Sequence, residues 1–482
     1  QVGLGSPKCL GLRLAMAATG AAPSLGKALL EEQRACIDEP FCCATESPPA
    51  SRSPAAEPEE APEVETRRIV TCFFLLGAAS DVTFNAIVLT VAYLVQELGT
   101  NVLVLIGRAQ FVGSGCTMVV LFALALRRPR SVTEMRQPCR QLMRAMVYML
   151  GLDMAMVLVA ASGWPLHGGL LQVALLANGV ATGLSQSLVG VLSGFMTKFG
   201  GQPTSASAQV SGVGFGIALP TATQLLLMPL GVSVRIAAVI SYALACLVTV
   251  CGMVALVRFQ ATRTFIRCES ESLDEVTGRE GLTAAFEEKF VWYMYRRLQQ
   301  IALPSLGLLI NFAVMVYCNL LSPRVPSHGL IPSPSLLPTL LIGATNAFDF
   351  AGRIFALHTL HKSSEPSVAW AWLQGGLQRL PLISVWLLAR LVAAVACLAY
   401  CARGQLERVL ASNAAILGLY ALGAVCGGTA TVALTQYSQS ICMRTSGLNM
   451  DAAAAVPCPL ASQIMLLACI LGSVIGSMIP FP

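Results

Sequence analysis

From about residue 69 onward, apolar stretches as long as a bilayer is thick recur to the end of the chain, separated by short polar breaks. A helix needs roughly 20 apolar residues to cross the hydrocarbon. On that criterion eleven spans are expected, near 69–95, 102–126, 141–162, 168–196, 205–229, 232–257, 298–322, 335–357, 380–402, 409–435 and 460–479. The stretch 258–297, with Arg263, Arg267, Asp274, Glu275, Glu287, Glu288 and Lys289, divides them six and five. The expected fold is therefore all-α, with a six-helix bundle over 69–257, a polar loop over 258–297 and a five-helix bundle over 298–482.

Residues 1–68 lack this pattern. An Ala/Gly/Leu-rich stretch leads into Ser47-Pro-Pro-Ala-Ser-Arg-Ser-Pro54 and an acidic run from Glu57 to Glu65. Such composition buries too little apolar surface to offset ordering, so a disordered tail is expected. Arg13 among small residues leaves a targeting peptide as the alternative, and the segment is equally compatible with truncation.

Charge gives the spans a direction. The break between the second and third spans holds Arg127, Arg128, Arg130, Arg136, Arg140 and Arg144, and the breaks on either side hold almost none. By the positive-inside bias, the N-terminus and the 258–297 loop are cytosolic, and an odd number of spans puts the C-terminus outside. Arg403 and Arg408 fall on the predicted outer side, against the bias. The plasma membrane is the expected location, ahead of an organelle.

Composition narrows the function classes. Of 482 residues, 55% are hydrophobic and 12% charged, against about 25% charged in a soluble domain. The net charge of +6 comes from arginines beside apolar runs, without the interleaved aromatics of a nucleic-acid surface. Most of the 17 Cys lie inside apolar segments, where Cys behaves as a small hydrophobe. There is no Walker loop, zinc-protease motif, Gly-x-Ser-x-Gly or dinucleotide fingerprint, so neither an enzyme nor a cofactor is expected. His358-x-x-His361 lacks a third ligand at metal-binding spacing, so no metal is expected, and the chain is expected to act as a monomer.

Small residues recur at four-residue steps: Gly179, Gly183 and Ser187, then Gly190 and Gly194, Gly212 and Gly216, Gly472 and Gly476. That step lets two backbones approach closely in lipid. Their density in the fourth and fifth spans points to tight neighbours at a moving interface, with static packing as the alternative.

An ionisable group at membrane depth costs about 3 kcal/mol on insertion scales and calls for a partner or a hydrated path. The eighth span places Asn346, Asp349 and Arg353 on one face, with the two charges four apart and able to pair. They form either a structural ion pair or a polar substrate face. The first span adds Asp81, Phe84 and Asn85, and an aromatic ring beside amide and carboxylate groups suits a planar solute rich in donors and acceptors. The fourth span has a polar island, Ser185, Gln186 and Ser187, with Asn178 two turns earlier. It serves either the solute or helix association. Asp153 in the third span has no partner visible in sequence, and with Asp81 it is a candidate for proton coupling. Arg390 in the ninth span reads as structural or near a gate.

These motifs resemble the equilibrative nucleoside transporter family. Asn346-Ala-Phe-Asp-Phe-Ala-Gly-Arg353 resembles the family's Asn-x-Phe-Asp-x-x-Gly-Arg signature, and Leu388-Ala-Arg-Leu391 its Leu-Ala-Arg-Leu. Leu76-Gly, Phe84-Asn85 and Tyr93 resemble the Leu-Gly…Trp-Asn…Tyr pattern of the first span. Ser185-Gln-Ser-Leu-Val-Gly190 is similar to Gln-Gly-Ser-Leu-Phe-Gly, and Ser211-Gly-Val-Gly to Ser-Gly-Gln-Gly. The likeness runs in order over about residues 69–480. The chain departs from it at Phe84 for Trp, Thr83 for Pro, the acid Asp81, a Gln shifted to 186, a connection from Val191 to Val210 that reads as long, and Gly427-Gly-Thr for Asn-Gly-Tyr.

The resemblance implies a major-facilitator-like bundle of six plus five helices and a site reached alternately from each side. It also implies facilitated or proton-coupled movement of nucleosides and nucleobases. By position, Phe84 and Asn85 would flank the base, Ser185 would stand for a base-binding Gln, and Asp349 with Arg353 would meet the ribose or the base edge. An organic cation drawn by Asp81 and Asp153 is the alternative substrate, and a membrane receptor or scaffold the alternative class.

Overall fold

The computed structural model describes residues 62–98, 112–121, 123, 135–164, 167–200, 204–227, 230–277, 283–322, 325, 336–361, 375–403, 413–446 and 458–479. The predicted tail lies almost wholly outside them. The helices are α1 (Pro62–Leu89), α2 (Val91–Leu98), α3 (Val112–Leu121), α4 (Arg136–Ser162), α5 (Gly168–Gly200), α6 (Thr204–Leu227), α7 (Val234–Gln260), α8 (Arg263–Thr277), α9 (Thr283–Leu321), α10 (Leu336–His361), α11 (Leu380–Arg403), α12 (Asn413–Ser446) and α13 (Cys458–Met478). Among the described residues nine helices are long and apolar enough to cross a membrane, and α3 and α13 supply two shorter apolar segments, Val112–Leu121 and Ala461–Gly476. Each of the eleven expected spans falls on one of these, so the chain is an all-α, multi-pass membrane protein.

The polar breaks differ from expectation. Helix α1 starts at Pro62, inside the expected tail, because Pro at the first helical position and Glu63 and Glu65 in the first turn favour a helix start. The 258–297 segment, expected as a loop, is largely helical: α8 occupies its first half and α9 begins at Thr283. Phe265 and Cys268 recur at helical spacing and are buried, so α8 lies with one face on the bundle, against α5 and α7. Its backbone N–H at Thr264 donates to Glu65, and Arg136 of α4 pairs with Glu269 at 2.8 Å. The connection after the fourth span is short, since α5 runs to Gly200 and α6 starts at Thr204.

Two bundles follow from the packing. In the first, α1 lies against α6 and α7, and α4 against α5 and α7; in the second, α10 and α11 pack on α12 and α9 on α13. The bundles meet along a seam where α6 touches α10 and α12 and α5 touches α13. The pattern inverts that of a soluble protein: Leu158, Val173, Leu230, Leu247, Leu388 and Val395 are exposed, and the buried face of α6 carries Ser205, Ser207, Ser211, Gly212, Gly214 and Thr221. Lipid is as apolar as leucine, so association rests on close packing and interhelical hydrogen bonds.

The small residues occupy the closest contacts. A Cβ at Gly212 or Gly216 would strike the backbone of Phe74 or Ala78 in α1, and one at Gly472 or Gly476 the backbone of Leu309 or Ala313 in α9. The α6 pair thus packs inside the first bundle, against α1, and not at the seam. In α5, Gly183 meets Ser114 of α3, and Gly190 faces Ser462 and Leu466 of α13 across the seam.

Candidate functional site

The polar residues of the first bundle converge on Asp81. Its Oδ2 accepts a hydrogen bond from Asn85 Nδ2 at 2.8 Å and its Oδ1 one from Gln186 Nε2 at 3.2 Å. Gln209 of α6 donates to the backbone carbonyl of Gln186 and so fixes that stretch of α5. Asp81, Phe84, Asn85 and Gln186 are half-buried, and Phe84 packs on the apolar cluster around Tyr242. Ser185 does not join them: it is fully buried and its hydroxyl donates to Thr182 of its own helix. One residue is about 100° of helix turn, so the Gln displaced to 186 is the side chain that reaches the acid.

In the second bundle the charges are buried and closely paired. Arg353 Nε donates to Asp349 Oδ2 at 2.7 Å, and Arg390 Nη1 stands 3.5 Å from Asp349 Oδ1. Their exposures are 3% for Asp349, 1% for Arg353 and 4% for Arg390, so one carboxylate lies between two guanidiniums out of water. Glycines make room for them. A Cβ at Gly427 of α12 would fall within the Arg390 guanidinium, and one at Gly428 against the backbone of Asp349. Asn311 of α9 donates to the Gly427 carbonyl at 3.0 Å and to Thr431 at 2.6 Å, tying α9 to this part of α12.

Arg353 also crosses the seam. Its Nη1 donates to the Val210 carbonyl of α6 at 2.7 Å, and its stem lies in the notch of Gly214. Arg353, Asp349 and Arg390 thus form a run of alternating charge in the second bundle that touches the first bundle through Arg353. Asn346 bridges as well, donating to Thr221 of α6 at 2.9 Å. Phe74, Phe215 and Phe350, from α1, α6 and α10, pack with ring centroids 5.5–6.4 Å apart. Further along the seam, toward α8, Ser207 donates to Gln436 at 2.6 Å and Gln463 to Ser187 at 3.4 Å. Side-chain hydrogen bonds thus join the two bundles toward that end of the seam too.

Asp153 lies elsewhere. It is fully buried within the first bundle, where Thr83 of α1 donates to its Oδ2 at 2.8 Å. Phe348, part of the eighth-span signature, is exposed and turned about 100° from Asp349 around α10. Sequence reading assigned Arg390 no contact and missed Gln209, Thr221, Asn311 and Gln436. The paired Gly427-Gly428 was the available signal for Arg390, since two adjacent glycines in a span mark a place where something bulky approaches.

No protein-family model matches the chain, and no curated protein matches it in sequence. Among solved structures it is similar to a major facilitator superfamily proton:xylose symporter, XylE, bound to 6-bromo-6-deoxy-D-glucose. The likeness has 13% identity over 87% of this chain and 96% of that one, with a TM-score of 0.44. It is also similar to the E. coli fucose:proton symporter FucP, at 13% identity over 86% of this chain and 98% of that one, again with a TM-score of 0.44.

Proposed function

We propose that the chain is a carrier that moves nucleosides or nucleobases across a membrane by alternating access. The observation that carries this reading is the buried charge cluster of Arg353, Asp349 and Arg390, whose Arg353 also donates across the seam to the Val210 carbonyl of the other bundle. Charges at membrane depth are costly unless they pair or face a hydrated path, and here one member of the pair, Arg353, also bonds the backbone of the part that would have to move. A solute with hydroxyls and ring nitrogens can replace these contacts one for one. Asn85, Gln186 and Asp81 would bind it from the first bundle, with Phe84 against its ring, and Asn346, Asp349 and Arg353 from the second. Release of Arg353 from Val210 would let the bundles rock about the site.

Uptake of labelled adenosine, uridine and hypoxanthine in cells lacking their own nucleoside carriers tests this. Saturable uptake is expected, lost in Asp349→Ala and reduced at least tenfold in Gln186→Leu at matched surface expression. Uptake equal to that of empty cells across the panel overturns the substrate reading. An organic cation is the second reading, favoured by the Asp81 carboxylate being hydrogen-bonded, among the described residues, by the neutral amides of Asn85 and Gln186. Cations, and not nucleosides, would then compete, and Asp81→Asn would remove uptake. Proton coupling would fall to Asp81 or Asp153, and uptake unchanged by external pH and by a protonophore leaves plain facilitation. In this proposal the cytosolic side is the α8 end.

A further inference from the structure

We propose that Arg140 and Arg144 of α4, with Arg258 of α7, bind the phosphate of an anionic phospholipid at the α8 end of the first bundle. Arg136, Arg140 and Arg144 follow at four-residue steps, so they fall within about 80° of one another around α4, and all three are exposed. Further along the same face Val147, Gly151, Met154 and Leu158 are exposed as well. The residues turned the other way, Leu142, Met146, Met149 and Asp153, are buried in the bundle. The arginines therefore end a face that lipid covers. Helix α7 repeats the pattern, with Leu247, Val250 and Val254 exposed and Arg258 four residues after Val254. The two helices pack side by side in opposite directions, Met146 reaching Gly252 and Gln260 bonding Cys139. Cys139 precedes Arg140, and Gln260 is two residues from Arg258, so both lipid-facing sides turn basic at one level.

The protein's own acids are engaged elsewhere. Glu269 pairs with Arg136, and Glu65 accepts from the Thr264 backbone. Among the described residues no carboxylate lies within ion-pair distance of Arg140, Arg144 or Arg258. A guanidinium beside hydrocarbon is costly unless it reaches the headgroup layer, and its planar fork matches the oxygens of a phosphate. A choline headgroup would bring its own cation against the arginines, so a lipid of net negative charge is the better fit. At Gly151 a Cβ would meet nothing within 4 Å. The missing side chain leaves a shallow trough two turns from Arg144, where an acyl chain can lie below its headgroup.

The test does not depend on the transport reading. The melting temperature of the purified full chain in detergent is measured with added phosphatidylglycerol, phosphatidylcholine or glycerol phosphate at equal ionic strength. Phosphatidylglycerol is expected to raise it by about 3 °C, growing with concentration, with no rise from the other two. Arg140→Gln, Arg144→Gln or Arg258→Gln alone should weaken the apparent affinity about fivefold, and Arg140→Gln with Arg144→Gln should remove the rise. Gly151→Trp, which fills the trough and leaves every arginine in place, should weaken it too, and covers the case in which the double variant fails to fold. Arg379→Gln, at an exposed arginine of the second bundle, should leave the rise unchanged. An equal rise with phosphatidylcholine or glycerol phosphate, a full rise in the double variant or in Gly151→Trp, an equal loss in Arg379→Gln, or no rise in wild type overturns the proposal.

Discussion

In the first bundle the carboxylate of Asp81 is met by two neutral amides, Asn85 and Gln186, and is half-buried. In the second, Asp349 is nearly inaccessible and lies between the guanidiniums of Arg353 and Arg390. Both arrangements hold an acid at membrane depth, but they fail differently. A hydrogen bond from an amide contributes about 1 kcal/mol net, and its loss exposes one half-buried oxygen. Removing one member of a buried ion pair leaves a charge with nothing to neutralise it, at about 3–5 kcal/mol. Breaking the charge cluster of the second bundle should therefore cost more than breaking the amide contacts of Asp81 in the first.

The largest expected effect follows from that contrast. Asp349→Ala strands two buried guanidiniums and should destabilise the protein by about 3–5 kcal/mol, read as a fall in melting temperature and in folded yield from detergent. Asp81→Ala should cost about 1 kcal/mol. Removing one of the stranded cations, in Asp349→Ala with Arg390→Met, should recover part of the loss. Equal losses for Asp349→Ala and Asp81→Ala would remove the distinction between the bundles.

A smaller effect separates the glycines. At Gly212 the close neighbour is backbone, and at Gly427 it is the Arg390 guanidinium. Ala at either position overpacks a helix contact, at about 1–3 kcal/mol. Gly427→Ala should also push Arg390 off Asp349, so its cost should shrink when Arg390→Met is already present. Gly212→Ala should cost the same in either background. A double-mutant cycle on thermal unfolding reads the difference, and additive behaviour at Gly427 would mean that the notch does not hold the charge.

These contrasts mark how far the sequence could be read. Span positions were legible because hydropathy depends on local composition alone, and each of the eleven expected spans falls on an apolar helix. The Asp349–Arg353 pair was legible because four residues on a helix is a local relation. Arg390 and Gln209 were not, since their partners lie on other helices and no periodicity encodes which helices meet. Helix α8 was misread because counting charge hides an amphipathic face: Phe265 and Cys268 are few among polar neighbours, yet at the spacing that buries one side. Ser185 was assigned to the site by its place in the resemblance, and a displacement of one position turned it onto its own helix.

The smallest expected effect tests whether membrane depth, rather than charge pairing as such, governs the comparison. Arg136 and Glu269 pair at 2.8 Å, a distance comparable to that of Arg353 and Asp349, but the Arg136 side chain is 61% exposed. Water already solvates that guanidinium, and an exposed pair contributes at most about 1 kcal/mol, less in salt. Arg136→Ala should therefore lower the melting temperature by no more than about 1–2 °C, and by less still in high salt. Its double-mutant coupling to Glu269 should be a small fraction of that between Arg353 and Asp349. A coupling as large at the α8 end as in the second bundle would mean that α8 is clamped by that pair, and that burial is not what sets the cost of breaking one.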